Sequence, residues 1–148
     1  MKLILPRALR GRIEEEARRA FPGECCGLIA GKRRGEIAEV LTLHPARNIA
    51  VGNDRFEIHP EDQFAALRAA RNNGHALIGC YHSHPNGVAG PSETDRIGAG
   101  EDGFLWLIAA LSAADGPVRI KSFAYFAAEF SPVSLDEPVG ADLVTSSE

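Results

Sequence analysis

The sequence predicts a mixed α/β domain, and three observations lead there. Short extended runs alternate with segments of helical periodicity. Leu105 to Leu111 is almost wholly apolar, as a central strand covered on both faces would be. No glycine-rich phosphate loop joins a strand to a helix, so the alternation does not describe a nucleotide-binding fold. At 148 residues the chain has the length of one domain and is long enough to bury a core.

The elements follow in order. Leu3 to Leu5 forms a short strand, and Pro6 suits the first turn of a helix, where its missing N–H costs nothing. Leu9, Ile13, Ala17 and Ala20 recur at helical spacing until Pro22-Gly23 stops the helix. Cys26 to Ala30 reads as a buried strand, Gly31-Lys32-Arg33-Arg34-Gly35 as a polar turn, and Glu36 to Leu43 as the hairpin partner. His44 to Asp54 reads as loop, and Phe56-Glu57-Ile58 as a short extended piece. A second helix is expected over 60–72, with Phe64, Leu67 and Ala70 facing inward and Asn73-Gly74 ending it. Ala76 to His82 and Val118 to Phe126 are the remaining strands. The stretch from about Pro132 is acidic and lacks Lys and Arg. The expected division is therefore a domain over residues 1–130 and an acidic extension over 131–148, partly disordered.

Composition excludes several function classes. A formal net charge of −4 is wrong for a general nucleic-acid binder. Arg7, Arg10, Arg12, Arg18 and Arg19 cluster on the first helix, which suits a solvated face or a docking face for an acidic partner. No apolar run approaches the roughly 20 residues of a membrane span, and no apolar segment marks a signal peptide. The three cysteines, Cys25, Cys26 and Cys80, are odd in number and include an adjacent pair, a poor disulfide framework. Reduced thiols and a cytoplasmic setting follow. His44, His59 and His75 lie near expected turns, with His59 placed to cap the second helix, and Trp106 belongs to the core.

One stretch carries chemistry. If the strand of Ala76 to His82 continues through His84, the two imidazoles share a face, because strand side chains alternate. Both can then reach one ion at Zn–N distances of about 2.0–2.1 Å. Pro85 breaks the strand. Ser92 suits a helix N-cap with Asp95 at N3, and that carboxylate can point back toward the histidines. Two histidines and one carboxylate leave a fourth position open, as catalytic zinc sites do. Glu24, between a helix stop and a buried strand, is the candidate general base. Each element also has an ordinary reading: His-x-His as surface or core histidines, Ser-x-x-Asp as a plain cap, and Glu24 as a solvated strand start.

Glu24, then His82-Ser83-His84-Pro85, then six residues, Ser92, two residues and Asp95, resembles the JAMM signature of the MPN-domain (Mov34/JAB) metalloproteases. Glu24-Cys25-Cys26-Gly27-Leu28 and Gly79-Cys80-Tyr81 are similar to the compact prokaryotic stand-alone branch. The resemblance covers roughly residues 2 to 128. It implies a cytidine-deaminase-like α/β sandwich with a curved mixed sheet flanked by helices. It also implies one Zn2+ per chain on His82, His84 and Asp95, with Glu24 as general base and Ser92 as oxyanion donor. The substrate it implies is a small β-grasp, ubiquitin-like sulfur-carrier protein, cut after its C-terminal Gly-Gly. Such a tail can thread a narrow groove as an added strand, with residues 86–90 and the loop 47–55 expected to border it. Other readings stay open: a deubiquitinase-like isopeptidase on protein conjugates, a non-catalytic MPN interaction module, or a deaminase-like hydrolase, although no Pro-Cys-x-x-Cys follows for the last. A homodimer is compatible with the sequence and not required by it.

Overall fold

Seven strands form one mixed sheet that curls until its ends meet, in the order β1-β3-β2-β4-β5-β6-β7. The computed structural model describes residues 1–139. In chain order the elements are β1 (Lys2–Ile4), α1 (Arg7–Ala20), β2 (Cys26–Arg34), β3 (Ile37–Ala46), α2 (Pro60–Asn72), β4 (Ala76–His84), α3 (Glu93–Gly98), β5 (Leu105–Ala110), β6 (Arg119–Phe126) and β7 (Glu129–Asp136). The pairs β1–β3, β1–β7 and β4–β5 are parallel and the others antiparallel. The expected mixed sheet flanked by helices is therefore present. Among the described residues, no helix is long and apolar enough to cross a membrane.

Strand alternation divides the core in two. Ile29, Tyr81 and Leu107 share one cluster with Ile13 and Ala17 of α1. Their chain neighbours Leu28, Cys80 and Trp106 face the other way and pack with Ala66 of α2. Each large apolar side chain so buried contributes about 1.5–3 kcal/mol. His82 and His84 share the parity of Cys80, so the strand that builds the core also presents both imidazoles on its α2 side.

Four expectations change. The polar turn shrinks to Gly35-Glu36, because the charged residues Lys32 to Arg34 continue β2 as the exposed end of a hairpin; only Gly35, at φ 60°, needs the left-handed region. β3 likewise runs on through Ala46. In α2 the buried residues are Ala66 and Ala70, while Phe64 is 64% exposed and lies 5.5 Å beneath the Arg68 guanidinium. Small residues let α2 approach the sheet closely, and the bulky one is turned outward. Finally, β7 crosses the boundary expected at residue 130. The acidic residues just past it pair with the basic N-terminus, Lys2 with Asp136 at 3.4 Å and Arg7 with Glu137 at 3.2 Å. The expectation of disorder at the chain end concerns residues 140–148, outside the described residues.

The arginines of α1 are largely answered by nearby acceptors: Arg10 by Glu14, Arg19 by Glu15, and Arg18 by the Gly116 carbonyl. This favours the solvated face over a docking face.

Gly27 sits opposite Tyr81 in the β2–β4 ladder, and the Tyr81 ring lies across it where a Cβ would be. The ring is anchored by its hydroxyl, which donates to both carboxylate oxygens of Glu16 at 2.9 and 3.1 Å. Gly27→Ala should therefore lower unfolding free energy by about 1–3 kcal/mol, as overpacking does. Denaturant unfolding with an unchanged m-value checks this.

Candidate metal centre

β4 does continue through His84, and His82 and His84 are both buried on one face. Ser92 caps α3 in a capping box with Asp95: the Asp95 N–H donates to Ser92 Oγ at 3.0 Å, and the Ser92 N–H donates to Asp95 Oδ2 at 2.9 Å. The box fixes the Asp95 carboxylate at the first turn and turns it inward. Asp95 Oδ2 then lies 3.1 Å from His82 Nε2 and 3.0 Å from His84 Nε2, and the two Nε2 atoms are 3.0 Å apart.

These three atoms form a triangle that asks for a cation. His84 Nδ1 meets the Val88 carbonyl at 2.9 Å. A carbonyl only accepts, so the proton of a neutral His84 sits on Nδ1, and Nε2 presents a lone pair to the Asp95 carboxylate. Burial opposes a charge on His84, but Asp95 and the Val88 carbonyl outweigh it and raise its pKa. His82 is lowered, burial being the larger effect. Burial would raise Asp95, yet the two imidazoles and the Ser92 N–H hold its carboxyl well below the usual range. Tetrahedral zinc with bonds of about 2.0–2.1 Å separates its ligand atoms by about 3.3–3.4 Å, so a few tenths of an ångström of spreading would seat the ion. The residues fit zinc.

Glu24 joins the group from the far end of the sequence. The Cys25 N–H donates to Ser83 Oγ at 2.8 Å, and the Ser83 N–H donates to the Cys25 carbonyl at 3.1 Å. β4 thereby grips the entry to β2 between its two histidines. A carboxylate oxygen of Glu24 and ring nitrogens of His82 and His84 all lie within 4.8 Å of one another. Glu24 Oε1 is buried with no hydrogen-bond partner. Burial raises the Glu24 pKa to about 7, against the lowering effect of His84. Of the two carboxylates, Asp95 is held ionised in contact with both imidazoles, whereas Glu24 lies within 4.8 Å of their ring nitrogens with its carboxyl raised to about 7.

Aromatic rings flank His82. Phe56 stacks on His82 at 4.3 Å between centroids, and Trp106 meets it edge-on at 5.5 Å. A cavity of about 690 Å³ opens beside Asp95, lined by Ala50, Phe56 and Ile58 of one loop, Thr94 and Ile97 of α3, and Trp106. The loop 47–55 thus borders it in part, whereas residues 86–90 do not line it. That segment serves His84 instead, and Arg119 holds it in turn through the Gly87 carbonyl at 3.2 Å.

The remaining candidates take structural roles. All three cysteines are free thiols, and burial pushes Cys25 up to about 11, Cys26 to about 12, and Cys80 well above its ordinary value. Among the described residues none joins the metal-binding group. His59 Nδ1 accepts the Glu61 N–H at 3.1 Å, capping α2 as expected. His44 lies within β3 rather than at a turn, paired with Thr42 at 3.0 Å. Trp106 is core, as expected, and also faces the cavity. Phe56, Ser83 and Asn48 are the site residues that the motif does not assign; Ser83 lies inside it, but its bond to Cys25 depends on strand pairing.

An α/β fold that gathers two buried histidines and two buried carboxylates in one cluster carries a candidate metal centre. The chain belongs to the prokaryotic homologs of the JAB domain, whose family model matches residues 6–124. It is 36% identical over 88 residues to a desampylase of Haloferax volcanii, covering 59% of this chain and 62% of that one. It is 35% identical over 94 residues to a probable TtuB-protein conjugate cleaving protease of Thermus thermophilus, covering 63% and 60%. The matches thus span about three fifths of those relatives. A solution structure from Desulfitobacterium hafniense superposes with a TM-score of 0.79 at 29% identity, covering 92% of this chain and 94% of that one. A JAB1/MPN domain protein from Archaeoglobus fulgidus shares the fold, with a TM-score of 0.53 at 21% identity, covering 93% and 97%.

The Glu24 pKa sets a pH dependence. A carboxyl raised from 4.5 to about 7 adds stability that is present below pH 4.5 and lost as pH rises through 7. In metal-free protein, Glu24→Gln removes that loss. It should raise stability by about 1–2 kcal/mol at pH 8 and by little at pH 4. Thermal melts at the two pH values check this.

Proposed function

We propose that this chain is a zinc-dependent peptidase or isopeptidase that cuts after the C-terminal Gly-Gly of a small ubiquitin-like protein. The observation that carries the reading is the close triangle of His82 Nε2, His84 Nε2 and Asp95 Oδ2, with the buried, unpartnered Oε1 of Glu24 beside it. The names of the Haloferax and Thermus relatives support conjugates of ubiquitin-like proteins as substrates. A sulfur-carrier protein is the small β-grasp partner we favour, and the free thiols suit a reducing cytoplasm.

Zinc held by His82, His84 and Asp95 would polarise the scissile carbonyl and bring the pKa of a water toward about 7. Glu24, with its own pKa near 7, takes the proton from the attacking water and passes it to the leaving amine. Ser92 Oγ already accepts the Asp95 N–H, so its hydroxyl hydrogen is free to donate to the oxyanion. The Val88 carbonyl keeps His84 in the tautomer that presents Nε2. Phe56 and Trp106 keep water from the His82 side, and the adjoining cavity receives the tail.

The test uses a ubiquitin-like carrier extended beyond its Gly-Gly by a peptide, and a second carrier joined to a lysine side chain. Zinc-loaded protein should release one or both, chelation should stop release, and zinc should restore it. Zinc-loaded protein that releases neither overturns the reading. Glu24→Gln should keep one zinc per chain while kcat falls by about 10²–10⁴. His82→Ala should lose zinc, measured by metal analysis after dialysis; stoichiometric retention would sink the ligand assignment. Ser92→Ala should lower kcat by about 10²–10³, and unfolding should show about 1 kcal/mol of lost capping.

A further inference from the structure

We infer that Asn48 is a positioning residue that ties the wall of the cavity to the backbone of Glu24, so that the base is held in place by the same loop that meets substrate. This rests on the proposed role of Glu24. The Glu24 side chain has no anchor at its buried oxygen, so its place depends on how its backbone is held. Ser83 holds the chain on one side of it, through Cys25. Asn48 holds the same peptide unit from its carbonyl edge: its Nδ2 donates to the Glu24 carbonyl at 3.0 Å.

The same amide organises the loop. Nδ2 also donates to the Arg55 carbonyl at 3.2 Å, and Oδ1 accepts the Ala50 N–H at 3.0 Å and the Glu57 N–H at 2.9 Å. Two donors meet two carbonyls and one oxygen meets two N–H groups, so the network admits a single orientation of the amide. Asn48 also pairs with Ile58 in an isolated bridge, which closes residues 49–57 into an excursion with a narrow neck. Ala50, Arg55, Phe56 and Glu57 of that excursion line the cavity, and Phe56 stacks on His82. One side chain at the neck therefore joins the cavity wall to the base, and it contacts none of the three proposed ligands.

Asn48→Asp separates the two halves of the network. It keeps an oxygen for the Ala50 and Glu57 amides and removes the donor to Glu24 and Arg55. The expected result is one zinc per chain as before, a kcat lower by about 10²-fold and a KM changed by less than about threefold. In a Glu24→Gln background the same change should cost nothing further, because Asn48 acts through Glu24. A kcat equal to that of the parent, or an equal fractional loss in both backgrounds, overturns the inference. Amide exchange on metal-free protein decides it without turnover. Asn48→Ala should speed exchange at Ala50, Glu57 and Cys25 while the β5 amides keep their protection. Unchanged exchange at Cys25 overturns the tie even where Ala50 and Glu57 open. If Glu24→Gln itself leaves turnover intact, the role of Glu24 fails, and the exchange data still judge the tie between loop and backbone.

Discussion

An ionised carboxylate oxygen held about 3 Å from two imidazole nitrogens, with water excluded, is the constraint on which the structure depends. Burial removes the solvent that would otherwise satisfy these atoms, so the carboxylate and the two imidazoles depend on one another and on their neighbours for polar partners. Each surrounding feature reads as a means of holding them there. The capping box turns Asp95 inward, the Val88 carbonyl fixes His84, and Phe56 and Trp106 flank His82.

The second carboxylate stands under a different rule. Asp95 is kept ionised by donors on several sides, whereas burial pushes the Glu24 carboxyl up to about 7. Two acids in one pocket are pushed to opposite ends of their range by their surroundings. On the proposed function, this separation lets one bind the metal and the other move protons.

Much of this was legible in the sequence. His82 and His84 two apart in a strand, Pro85 to end it, and Ser92 three before Asp95 are local rules, and each produced the expected local geometry. Glu24 was nameable from its place between a helix stop and a buried strand, but its approach to His84 depends on β2 lying antiparallel to β4, a pairing that no local signal encodes. Asn48 was hidden for the same reason: its partners are backbone groups of Glu24, Ala50, Arg55 and Glu57. Phe64 misled because hydrophobicity was weighed over size, and the sheet accepts alanines where a phenylalanine would hold α2 away. β7 escaped because a strand paired on both sides by backbone needs little apolar alternation, and its acidic end answers Lys2 and Arg7.

The parallel pairing of β1 with β7 closes the sheet into a ring. A ring leaves no full-length row of unpaired N–H and C=O groups, which protects the chain from edge-to-edge aggregation. It also alters how an extended guest can be received. Strand addition needs a host backbone with free hydrogen-bonding groups, and the three-residue β1 covers only Ile37, Ala38 and Glu39 of β3 on that side. On the proposed function, the excursion at 49–57, which lines the cavity beside Asp95, would offer the Gly-Gly tail main-chain partners of its own. The discrimination among guests would then reside in the most variable kind of segment, a loop, while the strand that carries both histidines stays indifferent to which guest arrives.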